Sequence, residues 1–574
     1  SGPLPLPILG NLLDLGGSVP CYSKLTDWSK RYGGLYTVWL GESPLIVVSD
    51  YKLMQETFGK EGDAYTGSDM VEFNKYATAT QGLYGIFSTE GEPWLTLRRF
   101  SMQAMRNVGM GRNEGEQKIM TDVDTLIESF EEKIDAGENI LDVKPMISLT
   151  EKEKEFYILK TFLDEAEEIF ADPRFMLLTE APWLRHFPIF SSLFKWFDEN
   201  NTVFYNYIDR EIQAIERKHA LSENDEYESC FVEEFLKEQK RQKSDPNSHF
   251  AINHLRGLCF DLFTAGQETT SLTLSFLVLY MVINQDAQKK LQAELDAVIG
   301  SPRPILVADK SNLPYTNAVV NETQRLCNLL PLNITHKTTR DIHMKGYKIP
   351  NGTKIVPQIS CVLFDEKLFP NPEKFQPERF LTDDGRLKQL DGFIPFSIGK
   401  RVCLGESLAR MELFLVAANV LNRFRFLPED PMNPPTDKKI RNFGVAPTPF
   451  KCKKESTKPV KQNAIYKNVI FNYDIGIHPE CSSCTNLSYD QCLANYNCNR
   501  LECCSPPATY CSYCKKYGLC AYNFESCIKL KDCCEVEQTP FRANNICGTC
   551  SLYPGCLKDP LCGLMKPYCC NPLE

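Results

Sequence analysis

No stretch of this sequence stays apolar for the ~20 residues that a helix needs to cross a bilayer. The longest candidate, residues 272–283, is short and contains Thr and Ser, so it reads as a buried helix. No secretory signal is visible. No strongly basic segment occurs, and the net charge of −10 with a sequence pI of about 5.5 argues against nucleic acid as a partner. Cysteine is thin over the first 454 residues, where only Cys21, Cys230, Cys259, Cys327, Cys361, Cys403 and Cys452 occur. The chain begins at Ser1 rather than Met, which reads as a processed or truncated start.

What is present divides in two. The remaining eighteen of the 25 cysteines lie between Cys481 and Cys570. The first part reads as a protein of a reducing compartment and the second as a secreted disulfide scaffold. At 574 residues the chain exceeds what one core supports. The expected organisation is a large domain over 1–454, a linker over 455–480 and a Cys-rich region over 481–574. That region holds three six-cysteine repeats, Cys481 to Cys504, Cys511 to Cys534 and Cys547 to Cys570, each opening with Cys-x-x-Cys and closing with Cys-Cys. Zinc is the alternative for such pairs. Adjacent cysteines and a single nearby histidine, His478, favour disulfides, with the connectivity open.

The large domain starts with a proline-rich lead-in over 3–11, stiff and extended because proline fixes φ and removes a donor. Residues 36–40 and 45–48 read as strands of a hairpin around Gly41 to Pro44. From about 93 to 300 the apolar spacing is helical. Short strands return over 343–357, and 404–423 reads as a further helix. The fold class is therefore mainly α with a small β part, followed by a small disulfide-rich C-terminal region.

One cysteine has surroundings that a buried structural thiol does not require. In Phe396-Ser-Ile-Gly399-Lys-Arg401-Val-Cys403-Leu-Gly405 it sits between two glycines and directly before a helix. Glycine lets the backbone turn and approach a flat ligand, and a helix N-terminus favours a thiolate. Arg401 is placed to meet an anion. This loop resembles the haem-binding loop of the cytochrome P450 family at its defining positions, and the resemblance extends over residues 1–454. It implies the cytochrome P450 fold, haem b (iron protoporphyrin IX) as cofactor and Cys403 as the iron ligand, with Phe396, Gly399 and Gly405 shaping the cofactor cradle.

Four other motifs stand in the family's order. Ala265-Gly266-Gln267-Glu268-Thr269-Thr270 lies inside a long helix expected from about 255 to 283. Gly and Thr are poor helix-interior residues and are expected to weaken the ladder there and open a groove. By resemblance Glu268 and Thr269 relay protons to dioxygen, although threonines back-bonding to their own helix would explain the same letters. Glu322 and Arg325 are three apart on a helix, and Arg379 in Phe375-Gln-Pro377-Glu-Arg379-Phe380 is the implied third member of a structural network. Trp94 and Arg98 lie one helical turn apart. With His336 and Arg401 they match the positions that hold the haem propionates. Ala265, Leu330, Pro331, Leu332 and Val445 match substrate-facing positions, mostly apolar, which implies a lipophilic small-molecule substrate.

Within the family the lead-in 3–11, Gly346-Tyr-Lys-Ile-Pro350 and Gly405-Glu-Ser-Leu-Ala409-Arg410 resemble animal microsomal members, with wording similar to nematode sequences. This resemblance implies a monooxygenase that inserts one atom of dioxygen into a xenobiotic, fatty acid or steroid-like molecule. Its electrons would come from NADPH-cytochrome P450 reductase, and Lys400, Arg401 and Arg410 are the candidate charges for attracting an acidic donor. The implied location is the cytosolic face of the endoplasmic reticulum membrane, through an anchor that would precede Ser1. Two features depart from the pattern. Residues 141–160 are highly charged where an apolar helix is expected, which predicts a weakened fold. The Cys-rich tail suits a secretory compartment and reads as the product of a neighbouring gene joined to the enzyme. The rival readings are a non-catalytic haem protein, and a secreted Cys-rich binding protein fused to a vestigial enzyme domain.

Overall fold

The computed structural model describes residues 1–15, 22–69, 75–76, 82–143, 159, 165, 169, 172–221, 230–301, 303–331, 333–441 and 444–457. The chain divides into two units, Ser1–Val460 and Lys461–Glu574. The three cysteine repeats and nearly all of the expected linker lie outside the described residues, as do most of the charged stretch 141–160 and Leu332.

The first unit is mainly helical. Its longer helices are α1 (Tyr22–Tyr32), α2 (Gly91–Asn107), α3 (Asn113–Asp135), α4 (Pro173–Glu180), α5 (Pro188–Leu221), α6 (Phe231–Arg241), α7 (Ile252–Ile283), α8 (Gln285–Val298), α9 (Pro314–Cys327) and α10 (Glu406–Arg423). The main core forms where α3, α7, α8, α9 and α10 meet, with Phe130, Phe276, Leu279, Leu291, Val319 and Leu415 among its buried side chains. Every residue from Leu272 to Val282 is buried. A helix apolar all round belongs inside a protein, and each large apolar side chain buried there contributes about 1.5–3 kcal/mol. No helix among the described residues is long and apolar enough to cross a membrane.

The helix ends are held by distant side chains. No residue at the start of α9 caps it with its own side chain, and Pro314 occupies the first turn. Glu294 of α8 takes over: its carboxylate accepts from Tyr315 N at 2.7 Å, Thr316 N at 2.8 Å and Thr316 Oγ1 at 2.7 Å. An anion placed on free N–H groups at a helix start satisfies donors that the helix cannot. Asn419 of α10 similarly clips Ile305, accepting from its N–H at 2.8 Å and donating to its carbonyl at 2.9 Å.

The β part consists of short pieces. Strands β1 (Leu35–Leu40), β2 (Ser43–Val48), β3 (Gly67–Ser68), β5 (His336–Lys337) and β8 (Lys354–Pro357) form a sheet in the order β1-β2-β8-β5-β3. The β1–β2 hairpin is tighter than its sequence suggests. Ser43 and Pro44 belong to β2, and Gly41 at φ +63° with Glu42 makes the whole turn. A second sheet joins β4 (Ile140–Asp142), β9 (Phe424–Pro428) and β12 (Lys451–Ser456). Two hairpins, β6 (Ile342–Met344) with β7 (Tyr347–Ile349) and β10 (Lys439–Arg441) with β11 (Val445–Pro447), complete the described strands.

Candidate active site

The loop before α10 is tied back on itself. Cys403 N donates to Phe396 O at 3.1 Å and Val402 N to Gly399 O at 3.2 Å. Ser397 and Gly399 have φ of +73° and +91°. A Cβ on Gly399 would lie 2.4 Å from Phe58 O, so glycine is required by close backbone approach as well as by φ. Gly405 differs: a Cβ there would meet nothing within 4 Å. Cys403 is exposed between them. The surrounding protein pushes its thiol up, and the charge of Glu406 adds to this. The backbone N–H groups of Gly405 and Glu406 and the charge of Arg98 pull the other way without prevailing. The helix start therefore favours a thiolate less than the partial desolvation of the sulfur by the surrounding loop disfavours it, although the residue as a whole is open to solvent.

Beside this loop stands a cluster of donors with no anion to receive them. Arg98, on α2, donates through Nη2 to Val402 O at 2.5 Å. Arg401 donates to Thr66 O at 2.7 and 2.9 Å, Ile86 O at 3.1 Å and Thr89 O at 2.6 Å. Its guanidinium carbon lies 4.5 Å from the centre of the Trp94 ring, and that of Arg98 lies 5.8 Å from it. Burial and the Arg98 charge push Arg401 down to about 10, with Glu90 opposing, and burial lowers Arg98 too. Among the described residues neither arginine forms an ion pair. Trp94 Nε1 is buried and has no hydrogen-bond partner. His336 is buried, with Nδ1 2.8 Å from Tyr65 O, and burial pushes it down to about 4.

Two unpaired guanidiniums, an orphaned indole N–H and a buried imidazole beside an exposed thiol and an open glycine call for an anionic, flat partner. Buried cations and donors are costly unless paired. A macrocycle with two carboxylates and a central cation fits every one of these demands.

Further from the loop, Glu322 and Arg325 meet on α9, with Arg325 Nε 2.8 Å from Oε2 and Nη2 2.9 Å from Oε1. Arg379 Nε reaches Glu322 Oε1 at 3.0 Å. The structure thus brings the three residues into one buried network.

The long helix α7 runs unbroken through Gly266, Glu268 and Thr269. The buried turns on either side hold the helix, and the hydroxyls bond within it: Thr269 Oγ1 donates to Ala265 O at 2.7 Å. Open space lies beside Gly266, where a Cβ would meet nothing within 4 Å.

Val445 is buried in the main core, with its N–H on Leu329 O at 3.0 Å, and Ala265 and Leu330 are partly buried. Of the three charges assigned to an electron donor, only Lys400 is exposed. Arg401 is spent on backbone carbonyls, and Arg410 bonds Glu406 at 2.9 Å and lies 4.9 Å over the Phe396 ring.

Sequence reading also missed two acids. Asp261, inside α7, accepts from Ile86 N at 2.6 Å and Phe87 N at 3.1 Å, and burial pushes it up to about 7. A carboxylate within the apolar run Cys259-Phe-Asp261-Leu-Phe263 was the available signal. Glu412 on α10 receives Thr270 Oγ1.

A thiol loop, a surrounding donor cluster and a mainly helical fold of this kind define a haem-thiolate monooxygenase. The family profile for Cytochrome P450 matches residues 1–453, and the chain belongs to that family. It is 34% identical to cytochrome P450 2M1 of Oncorhynchus mykiss, over 79% of this chain and 91% of that protein. It is 35% identical to cytochrome P450 2C11 of Rattus norvegicus, over 78% and 90%. Membership carries haem as the cofactor, and with it dioxygen, a lipophilic substrate and a redox partner.

Proposed function

We propose that the chain oxidises a lipophilic small molecule with Cys403 as the axial ligand of haem b. Trp94, Arg98, His336 and Arg401 would hold the propionates, and Phe396, Gly399 and Gly405 would form the cradle. Glu322, Arg325 and Arg379 have a structural role, tying α9 to the backbone of residues 363–376. The observation that carries this reading is the partnerless indole N–H of Trp94 between two guanidiniums, Arg98 and Arg401, that pair with no anion among the described residues, beside the Cys403 loop.

Thiolate-ligated haem, when bound, supplies dioxygen activation and insertion of one oxygen atom. The protein's part is proton handling and exclusion of water. Thr269 Oγ1 gives up its bond to Ala265 O to donate into the space left by Gly266, and Glu268 replaces the proton from solvent. Ala265 and Leu330 contribute apolar wall, and Leu332, beyond the described residues, is assigned with them.

Electrons are proposed to come from NADPH-cytochrome P450 reductase, with exposed Lys400 on the donor side. The proposed location is the cytosolic face of the endoplasmic reticulum. Its support is a set of exposed apolar side chains, Leu4, Leu6, Ile8 and Leu13 in the N-terminal arm and Trp183, Phe187 and Ile189 after α4. The arm packs near α4, since a Cβ on Gly41 would lie 3.2 Å from Leu177 and 3.4 Å from Ile8 O.

The test is the carbon monoxide difference spectrum of the reduced full chain, beside Cys403→Ser. A strongly red-shifted Soret band that the variant loses is expected. A band typical of histidine ligation, or one retained by the variant, overturns the assignment.

A further inference from the structure

The middle of α7 carries a run of hydroxyl side chains, and nearly all turn back on to the helix. Thr269 Oγ1 donates to Ala265 O, Ser271 Oγ to Glu268 O, Thr273 Oγ1 to Thr269 O and Ser275 Oγ to Ser271 O, at 2.7 to 3.1 Å. Such bonds are local and slightly weaken a helix. Thr270 differs: its hydroxyl leaves the helix and donates to Glu412 Oε2 on α10 at 3.3 Å.

Glu412 has no evident structural reason to be an acid. It lies between buried Met411 and Leu413. Among the described residues no cation pairs with it. The charged group that faces it is Asp122 of α3, which has the same sign. Two other charged groups packed on α10 have partners of their own. Lys310, from the turn Val307–Asn312, lies 5.3 Å over the Phe414 ring, and Glu131 of α3 pairs with Arg423 at 3.4 Å. A Leu or Gln would fill the place at a lower desolvation cost. Burial and Asp122 push the Glu412 carboxyl up to about 7, against the pull of the Thr270 hydrogen bond.

We propose that Glu412 is a positioning residue for the proton-handling groove: through Thr270 it fixes the rotation of α7 about its axis, and its ionised form does so more firmly than its protonated form. Consecutive helix residues are ~100° apart around the axis, so holding Thr270 sets the directions of Thr269 and Glu268. The anchoring helix is α10, which starts at Glu406, three residues after Cys403. The restraint therefore links the cysteine side of the site to the groove side. A charged acceptor makes a hydrogen bond roughly twice as strong as a neutral one, so the grip tightens as pH rises through neutrality. The inference rests on the proton-handling roles proposed above for Glu268 and Thr269.

The test uses the full chain loaded with haem, with reductase and no substrate, at pH 6 and pH 8. Hydrogen peroxide released per NADPH consumed measures dioxygen reduction that escapes the groove (NADPH, H+ and O2 giving NADP+ and H2O2). In the wild type the leak is expected to rise as pH falls through about 7. Glu412→Gln and Thr270→Val are expected to show the high leak at both pH values, on the order of fivefold above wild type at pH 8. Thr270→Ser is expected to restore the wild-type profile. The pH 6-minus-pH 8 infrared difference spectrum reads the same group without turnover, and its protonated-carboxyl band is expected to vanish in Glu412→Gln. One pH profile shared by wild type, Glu412→Gln and Thr270→Val overturns the inference, as does an infrared band that Glu412→Gln leaves unchanged. Thr269→Ala separates the two levels. A leak raised by Thr269→Ala but not by Thr270→Val removes this inference alone. A leak that Thr269→Ala does not change removes the proton-handling role and this inference with it.

Discussion

Replacing Glu322 by Gln removes one negative charge from a place where two guanidiniums converge. Glu322 Oε1 receives Arg325 Nη2 at 2.9 Å, Arg379 Nε at 3.0 Å and Gln376 N at 2.9 Å, and Oε2 receives Arg325 Nε at 2.8 Å. Both side chains of the Glu322–Arg325 pair are at 0% exposure. Glutamine keeps one acceptor oxygen and turns an NH2 group towards a donor, so at least one guanidinium faces a like group. Arg325 retains its bonds to Leu363 O at 2.9 Å and Pro372 O at 2.7 Å, and its place over Phe364 and Phe369. Those contacts exist in both forms and offset nothing. Leaving a buried charge without its partner costs about 3–5 kcal/mol, a large share of a net stability of ~5–15 kcal/mol. The expected result is a loss of about 3 kcal/mol or more in guanidinium denaturation followed by far-UV ellipticity, in haem-depleted as well as haem-loaded protein. A loss below about 1 kcal/mol in both forms would refute the claim that this buried network carries a large share of the fold's stability.

Four further outcomes are expected. Trp94→Phe removes a donor that has no partner in the protein alone, so apoprotein stability should hold while haem transfer to excess apomyoglobin speeds up about tenfold, the worth of one bond to a charged acceptor; equal rates would refute the propionate role. Asp261 has its folded pKa raised to about 7, so its contribution to stability is present at low pH and is lost as pH rises towards and through 7; Asp261→Asn should remove that slope, on the order of a few kcal/mol between pH 4 and pH 8, and parallel stability profiles for the two proteins would refute it. Lys400→Glu should slow reduction by the flavoprotein severalfold while leaving reduction by dithionite unchanged, and an unchanged flavoprotein rate rules the residue out of the docking face. Alkylation of the native full chain should find the eighteen thiols from Cys481 to Cys570 unreactive and unblocked only after reduction; labelling without reductant would rule out disulfides.

The parts of this site that are legible in the sequence are those whose geometry follows from short spacing. Glu322 and Arg325 meet because residues three apart share a helix face. Trp94 and Arg98 turn to the same side for the equivalent reason one turn apart, and Gly399 precedes Cys403 in a loop closed by its own backbone bonds. The helical class was legible too, because the buried stretch of α7 writes its period into an apolar run. Val445 was harder to place, because an apolar side chain suits a pocket wall and a core equally, and its backbone partner Leu329 lies more than a hundred residues earlier in the chain.

The acids show the limit more sharply. Thr270 and Glu412 are 142 residues apart, and Asp261 and Phe87 are 174 apart, so no local pattern announces either bond. A carboxylate inside an apolar run does say that a partner must exist, because an unpaired one is too costly to bury. It does not say which partner, since backbone N–H groups, a hydroxyl or a cation would all serve. Asp261 chose two amides of the loop that also feeds Ile86 O and Thr89 O to Arg401. That loop is therefore gripped from the helix on one side and from the cysteine loop on the other. A change at Asp261 should accordingly be felt at Arg401, which shares no sequence motif with it.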